Sequence, residues 1–141
     1  MSRAALLAAS SWVAVRRAGW APLAVFGVHL LTAFVIDVYA SFPEFDIPMH
    51  LAGGAAIAWF SLAWVRAAAR AQLLGAPNEL ALGMLALGLT AVVAIAWEIA
   101  EFAADSWFLT RWSNDVPDLL ADLALGLGGA LACLALAARR A

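Results

Sequence analysis

The sequence predicts an all-α, polytopic membrane protein: four transmembrane helices preceded by a short interfacial N-terminal helix. Three observations carry that prediction. The 141 residues are 66% hydrophobic and only 13% charged, against about 45–50% apolar and about 25% charged in soluble domains. Apolar surface in such excess has to face lipid. The apolar residues fall into four runs, each long enough to cross a hydrocarbon core that takes about 20 residues. The arginines then collect on one side of the topology those runs define.

Residues 4–17 begin like a signal peptide, with Arg3 before an apolar stretch. That stretch is short, is broken by Ser10 and Ser11, and leads to Arg16 and Arg17 without an A-x-A site. It reads as a short interfacial helix, with Trp12, Val13 and Val15 toward lipid and the arginines at the headgroups. The first span covers about 20–40 and ends at Ser41-Phe42-Pro43. The second covers about 47–69, with Pro48 in its first turn. Gly75-Ala76-Pro77-Asn78 marks a turn, and Asn78 suits the N-cap of a third span over about 79–104. Ser106 to Trp112 reads as an interfacial aromatic loop or half-turn carrying Trp107, Phe108 and Trp112 at headgroup level. The fourth span covers about 115–138, with Pro117 in its first turn, and stops before Arg139 and Arg140. The chain forms a single membrane domain. Its lone Cys133 permits no disulfide framework and reads as a packing residue.

With the N-terminus cytoplasmic, four crossings place Arg3, Arg16, Arg17, Arg66, Arg70, Arg139 and Arg140 inside and only Arg111 outside. Seven of the eight basic residues on one side is the positive-inside pattern of a multi-pass membrane protein with both termini cytoplasmic. The carboxylates go the other way. Asp37, Glu44, Asp46, Glu98, Glu101, Asp105, Asp115, Asp118 and Asp122 fall at or near the outward ends, and only Glu79 does not. Acidic residues contribute little to orientation, so this segregation needs another cause.

Helical spacing divides these residues into a rim and an inner layer. Glu98, Glu101 and Asp105 share one face at i, i+3, i+7; Asp118 and Asp122 are i, i+4, as are Asp46 and His50. His50, Glu98, Glu101, Asp118 and Asp122 lie one to two turns inside their spans and therefore share a layer. Gly53 and Gly54 continue the face of His50, and Gly126 and Gly129 that of Asp118 and Asp122. Small residues let helices approach closely, so the polar faces are also the packing faces. Asp37, Glu44, Asp115 and Asp46 suit the water interface, where carboxylates are ordinary. Asp115 also suits the cap of the fourth span, and Asp105 suits a pairing with Arg111. His29, near the middle of the first span, suits an interhelical hydrogen bond. Trp20, Trp64, Trp107 and Trp112 read as belt residues rather than a cofactor box.

A layer of four carboxylates and one imidazole with hardly any cation nearby cannot stay ionised and dry. Protonation, a water-filled mouth or a bound cation would relieve it. A divalent cation satisfies several carboxylates at once, which makes His50, Glu98, Glu101, Asp118 and Asp122 candidate metal ligands. Oxygen-rich ligands with one imidazole suit Mg²⁺, Mn²⁺, Ca²⁺ or Fe²⁺, and Zn²⁺ fits the same set. Neither H-E-x-x-H nor a repeated Glu-x-x-His is present, so no zincin and no ferritin-type di-iron bundle is indicated.

Asp46-Ile-Pro-Met-His50-Leu-Ala-Gly-Gly, then Trp97-Glu98-Ile-Ala-Glu101-Phe, then Asn114-Asp-Val-Pro-Asp118-Leu-Leu-Ala-Asp122 and a glycine-rich helix occur in that order. This order resembles the YjdF-like (DUF2238) family of small bacterial inner-membrane proteins. It is more distantly similar to VanZ-like proteins, which share an Asp and a His near the start of a span. The resemblance implies a site at these residues and implies no reaction.

Three functions are compatible with these residues. One is a metal-dependent protein acting on a lipid or small polar molecule, in which Glu98, Asp118 and Asp122 hold the cation and Glu101 or His50 is the catalytic general base. Another is a cation or proton transporter, against which stands an inward half bearing only His29 and Thr90 as polar relay groups. The third is an accessory subunit of a larger membrane complex, or a homo-oligomer. The lipid bilayer is the expected partner throughout, and no nucleic-acid partner is expected.

Overall fold

The computed structural model describes residues 2–36, 38–108 and 116–140. These form α1 (Arg3–Ala18), α2 (Trp20–Phe34), the short α3 (Val38–Ser41), a 3-10 turn (Pro43–Phe45), α4 (Asp46–Arg70), α5 (Glu79–Phe108) and α6 (Val116–Ala138). The protein is all-α, with no strand among the described residues. Three segments are long and apolar enough to cross a membrane: Pro43–Arg70, Glu79–Ala104 and Val116–Ala138. The apolar helix Trp20–Phe34 is shorter.

The helix ends follow from local chemistry. Ser2 caps α1 by accepting from the Ala5 amide at 3.2 Å, and Asn78 Oδ1 caps α5 by accepting from Ala81 N–H at 2.9 Å. Asp46 in the first turn of α4 and Arg70 in its last complement the helix dipole. Pro117 occupies the second position of α6, where no intrahelical donor is needed.

Two boundaries differ from those expected. The first apolar run does not continue as one helix to residue 40. It stops at Phe34, Ile36 N–H closes the end by donating back to Leu31 O at 3.1 Å, and α3 returns Tyr39 to the side of α2. There the Tyr39 hydroxyl meets His29 Nδ1 at 3.0 Å, a bond that a straight helix does not permit at a separation of ten residues. Conversely, α5 runs through Phe108, so Ser106 to Phe108 are helical rather than part of a loop. Ser106 Oγ donates to Phe102 O at 2.9 Å within that helix. The remainder of the expected aromatic loop, including Trp112, lies outside the described residues.

Helix α4 is the hub, packed by α1, α2, α5 and α6. Its neighbours' directions can be read from side-chain contacts. His50 meets Asp122 near the start of both α4 and α6, while Leu62 and Val65 share a core with Leu134 and Ala137 near their ends. The two helices therefore run parallel. Glu98 lies beside His50, whereas Leu82 and Ala86 join Leu62 and Val65, so α5 is antiparallel to both. Helix α1 buries Ser10, Ala14 and Ala18 and leaves Trp12, Val13 and Val15 exposed. Trp64 Nε1 of α4 donates to Ser11 Oγ at 3.0 Å, which sets arginine-bearing α1 at the end of α4 that carries Arg66 and Arg70.

The closest packing is between α4 and α6. A Cβ on Gly54 would overlap Gly126 O and lie 2.6 Å from Gly126 C; a Cβ on Gly129 would overlap Leu51 O. Both obstacles are backbone, so a side chain at either position forces the helices apart. Gly53, next to Gly54, has nothing within 4 Å of its would-be Cβ. Gly54→Ala is therefore expected to destabilise the protein by about 1–3 kcal/mol through overpacking, and Gly53→Ala to have little effect. Thermal unfolding of the two variants in mild detergent checks this, and equal melting temperatures would remove the close approach from the account.

Candidate functional site

The site forms because α4 and α6 begin at the same end and α5 finishes there. Asp46 and His50 stand one turn apart on α4, Asp122 projects from the second turn of α6, and Glu98 and Glu101 come from the last turns of α5. His50 is the centre. Its Nε2 lies 3.3 Å from Asp46 Oδ1 and 3.6 Å from Asp122 Oδ1, and its Nδ1 lies 4.0 Å from Glu98 Oε1. Two sets of side chains, Asp46–His50–Asp122 and His50–Glu98–Glu101, each offer three ligand atoms within 4.8 Å of one another. Glu98, Glu101 and Asp122 are buried.

The separations bear on what the donors suit. Both Nε2 separations are those of ion pairs, and the shorter is close to the about 2.7–3.2 Å of an N–H···O hydrogen bond. Donors bound to one ion at about 2.0–2.2 Å in tetrahedral geometry stand about 3.3–3.6 Å apart. Asp46, His50 and Asp122 each offer one ligand atom, and these lie within 4.8 Å of one another. On the opposite edge of the ring Nδ1 faces Glu98, as a carboxylate faces the second nitrogen of a ligating histidine.

Of the residues singled out from sequence, the structure brings His50, Glu98, Glu101 and Asp122 together. Asp118, one turn before Asp122, is half-buried and belongs to neither set of three. Asp46, assigned above to the interfacial rim, belongs to the cluster instead. Its signal was the i, i+4 spacing to His50, which on a helix puts both side chains on one face. Glu44 is exposed, as a rim residue should be. Asp37, Arg111 and Asp115 lie outside the described residues, as does the side chain of Asp105. Among the tryptophans, Trp20 and Trp107 are exposed, while Trp64 packs against the core. Cys133 is half-buried.

His29 does hydrogen-bond, but its partner Tyr39 lies in the same apolar run, on the short α3, rather than on another span. It also meets the Trp97 ring edge-on, with centroids 5.1 Å apart, and Phe26 meets Trp97 from the same helix at 6.0 Å. These ring contacts join α2 to α5. Inward of them a cavity of about 360 Å³ opens, with Asp46, His50, Glu98 and Asp122 at one end and apolar side chains along the rest.

A family model described as a predicted membrane protein, DUF2238, matches residues 4–141. The chain belongs to the DUF2238 family. No curated protein and no solved structure matches it significantly. Residues 46–129, which carry the ordered acidic motifs, lie wholly within the DUF2238 match. The likeness to VanZ-like proteins rests only on the Asp46 and His50 pair at the start of a span.

In this DUF2238 site, the imidazole separates two pairs of carboxylates that would otherwise face each other. His50→Ala is expected to lower the melting temperature in mild detergent by several degrees at neutral pH. Adding Glu98→Gln to that variant is expected to recover part of the loss, because one member of the repelling set becomes neutral. Strictly additive effects of the two substitutions would show that the ring and the carboxylate are not coupled.

Proposed function

We propose that this DUF2238 protein is a four-crossing inner-membrane protein that holds a divalent cation at its outward end and presents it to a substrate at headgroup depth. The fourth crossing is α2 with the turns that flank it. Its 15 residues extend about 22 Å, so Gly19 and α3 complete the passage across a core of about 30 Å. The arginines of α1, the Arg66–Glu79 pair and Arg139–Arg140 then all stand on the cytoplasmic side, with both termini.

The observation that carries the metal reading is the placement of His50. A half-buried imidazole with two carboxylate oxygens at coordination-edge distances from Nε2 and a third carboxylate beyond Nδ1 has the form of an oriented ligand. In this reading Asp46, His50 and Asp122 hold the cation and Glu98 orients the ring. Glu101, buried beside Glu98, accepts a proton during turnover. Asp118 shapes the field at the mouth without ligating. When bound, the cation supplies Lewis-acid polarisation of an oxygen and lowers the pKa of water.

A channel-like reading is disfavoured by the other end of the bundle. There Leu62, Val65, Leu82 and Ala86 pack with Trp64 and Leu134 into an apolar plug, and Thr90 is engaged by its own helix at Ala86 O, 2.8 Å away. Protein partners, including other subunits or a second copy, are left to the oligomeric state in solution.

Element analysis of the purified protein is expected to find about one divalent cation per chain, the stoichiometry of a single three-residue ligand set. Asp122→Asn and His50→Ala should weaken binding about 10-fold or more, and Asp118→Asn distinctly less. Affinity should fall as pH is lowered, because protons compete for the ligand atoms. Metal-free protein that fails to take up Mg²⁺, Mn²⁺, Ca²⁺, Fe²⁺ or Zn²⁺ would overturn the reading. The topology has its own check: reporters fused at either terminus should read cytoplasmic, and one inserted between Phe108 and Val116 should read external.

A further inference from the structure

The cavity beside the cluster is larger than a cation needs and has the wrong walls for one. Its charged groups and His50 gather at one end, and the remainder is mainly apolar, lined by residues such as Leu23, Phe26, Ile57, Val93 and Ala94, with His29 and Thr90, whose hydroxyl is bonded to Ala86 O, as the other polar groups. A volume of about 360 Å³ falls in the range of small-molecule sites, about 300–1,000 Å³. The shape is set by the helices. Along α4 the lining extends from Asp46 to Ile57, about 16 Å at helical rise. Along α5 it extends from Glu98 to Thr90, about 12 Å. One leaflet of hydrocarbon is about 15 Å deep, so along α4 and α5 the cleft starts at headgroup depth and runs about that far into the bilayer.

Its side is open to lipid. Leu23 on α2 is 69% exposed and Val93 on α5 is 43% exposed, although both line the cavity. Helices α2 and α5 are bridged by the rings around Trp97 near the polar end, and the cleft continues below that bridge. Its floor includes Gly53, where α4 presents backbone and a Cβ would meet nothing within 4 Å. The glycine at 54 is required by helix packing; the one at 53 is not. Its effect is to widen the cleft.

We infer that the cleft between α2 and α5 binds a hydrocarbon chain of an outer-leaflet phospholipid, whose phosphate lies at the Asp46–His50–Asp122 end. This deepens the metal reading and rests on it. The described lining residues offer an anion no arginine or lysine, His29 is engaged by Tyr39, and His50 ligates the cation in this reading, so the cation is the positive charge a phosphate meets among the carboxylates. The chain enters sideways from the bilayer, below Trp97, and replaces lipid contacts with Phe26, Ile57 and Val93. Its headgroup then needs no vertical displacement to reach the site.

The test uses a lysophosphatidate carrying a diazirine within its acyl chain, photolysed with the metal-loaded full chain in detergent micelles and mapped by mass spectrometry. Labels are expected on the α2, α4 and α5 peptides containing Phe26, Ile57 and Val93. Gly53→Leu, which fills the cleft from α4, should reduce that labelling about tenfold, the scale on which an apolar pocket discriminates by bulk, while leaving cation content unchanged. Ala94→Phe fills it from α5 and should do the same if Gly53→Leu fails to fold. Chelation, or a diazirine fatty alcohol without phosphate, should each lower cleft labelling several-fold.

Labelling that ignores both cleft-filling variants would overturn the inference, and so would equal labelling by the alcohol. The two readings fail differently. Retained cation with no cleft labelling removes the lipid and leaves the metal site, whereas absence of any bound cation removes the metal reading and the phosphate recognition built on it.

Discussion

Helices α4 and α6 meet backbone to backbone, with Gly54 against Gly126 and Gly129 against Leu51, and the functional end of the molecule depends on that contact. In a bilayer the lipid tails are as apolar as the side chains, so helices associate through close van der Waals packing rather than expulsion of water. Glycine on the contacting face removes the side chains that would hold the axes apart. Because the helices run parallel, the residues one turn outward from the contact also come together. Those residues are His50 and Asp122, 3.6 Å apart. The packing contact and the polar site are consecutive turns of one interface.

The two ends of the bundle are built on opposite principles. At one end, carboxylates from three helices converge on one imidazole, an arrangement costly to keep in hydrocarbon without neutralisation. At the other end, Leu62, Val65, Leu82 and Ala86 close the bundle with apolar contacts, and the charged groups there are kept at the periphery. Arg66 and Glu79 pair at 2.6 Å while remaining partly exposed, so their bond contributes no more than about 1 kcal/mol. Its consequence is geometric, joining the end of α4 to the start of α5.

Between these ends lies the lateral cleft, and its position relates the site to the bilayer. A polar cluster facing water alone would favour small soluble ligands. Here the cluster is continuous with an apolar wall about one leaflet deep, and that wall is exposed at Leu23 and Val93. The break after Phe34 belongs to the same device. By turning back at α3, the chain brings Tyr39 to His29 and buttresses the ring bridge at Trp97, which roofs the cleft beside the site.

Hydropathy determined the membrane class and helical content, because crossing lipid obliges the backbone to bond internally. Turn chemistry located Asn78 as a cap and placed Pro48 and Pro117 in first turns. Periodicity was enough to put His50, Glu98, Glu101 and Asp122 in one layer, since helical rise converts sequence position into depth. Asp46 was legible only as a neighbour of His50 on a helix face. Its membership, and the absence of Asp118 from either ligand set, depended on how α4 and α6 rotate against each other. The end of α2 at Phe34 was likewise set by a partner, Tyr39 meeting His29. Depth along a helix is a one-dimensional quantity that the chain itself carries. Rotation about the axis, and with it which side chains meet across a cleft, exists only once the helices are packed.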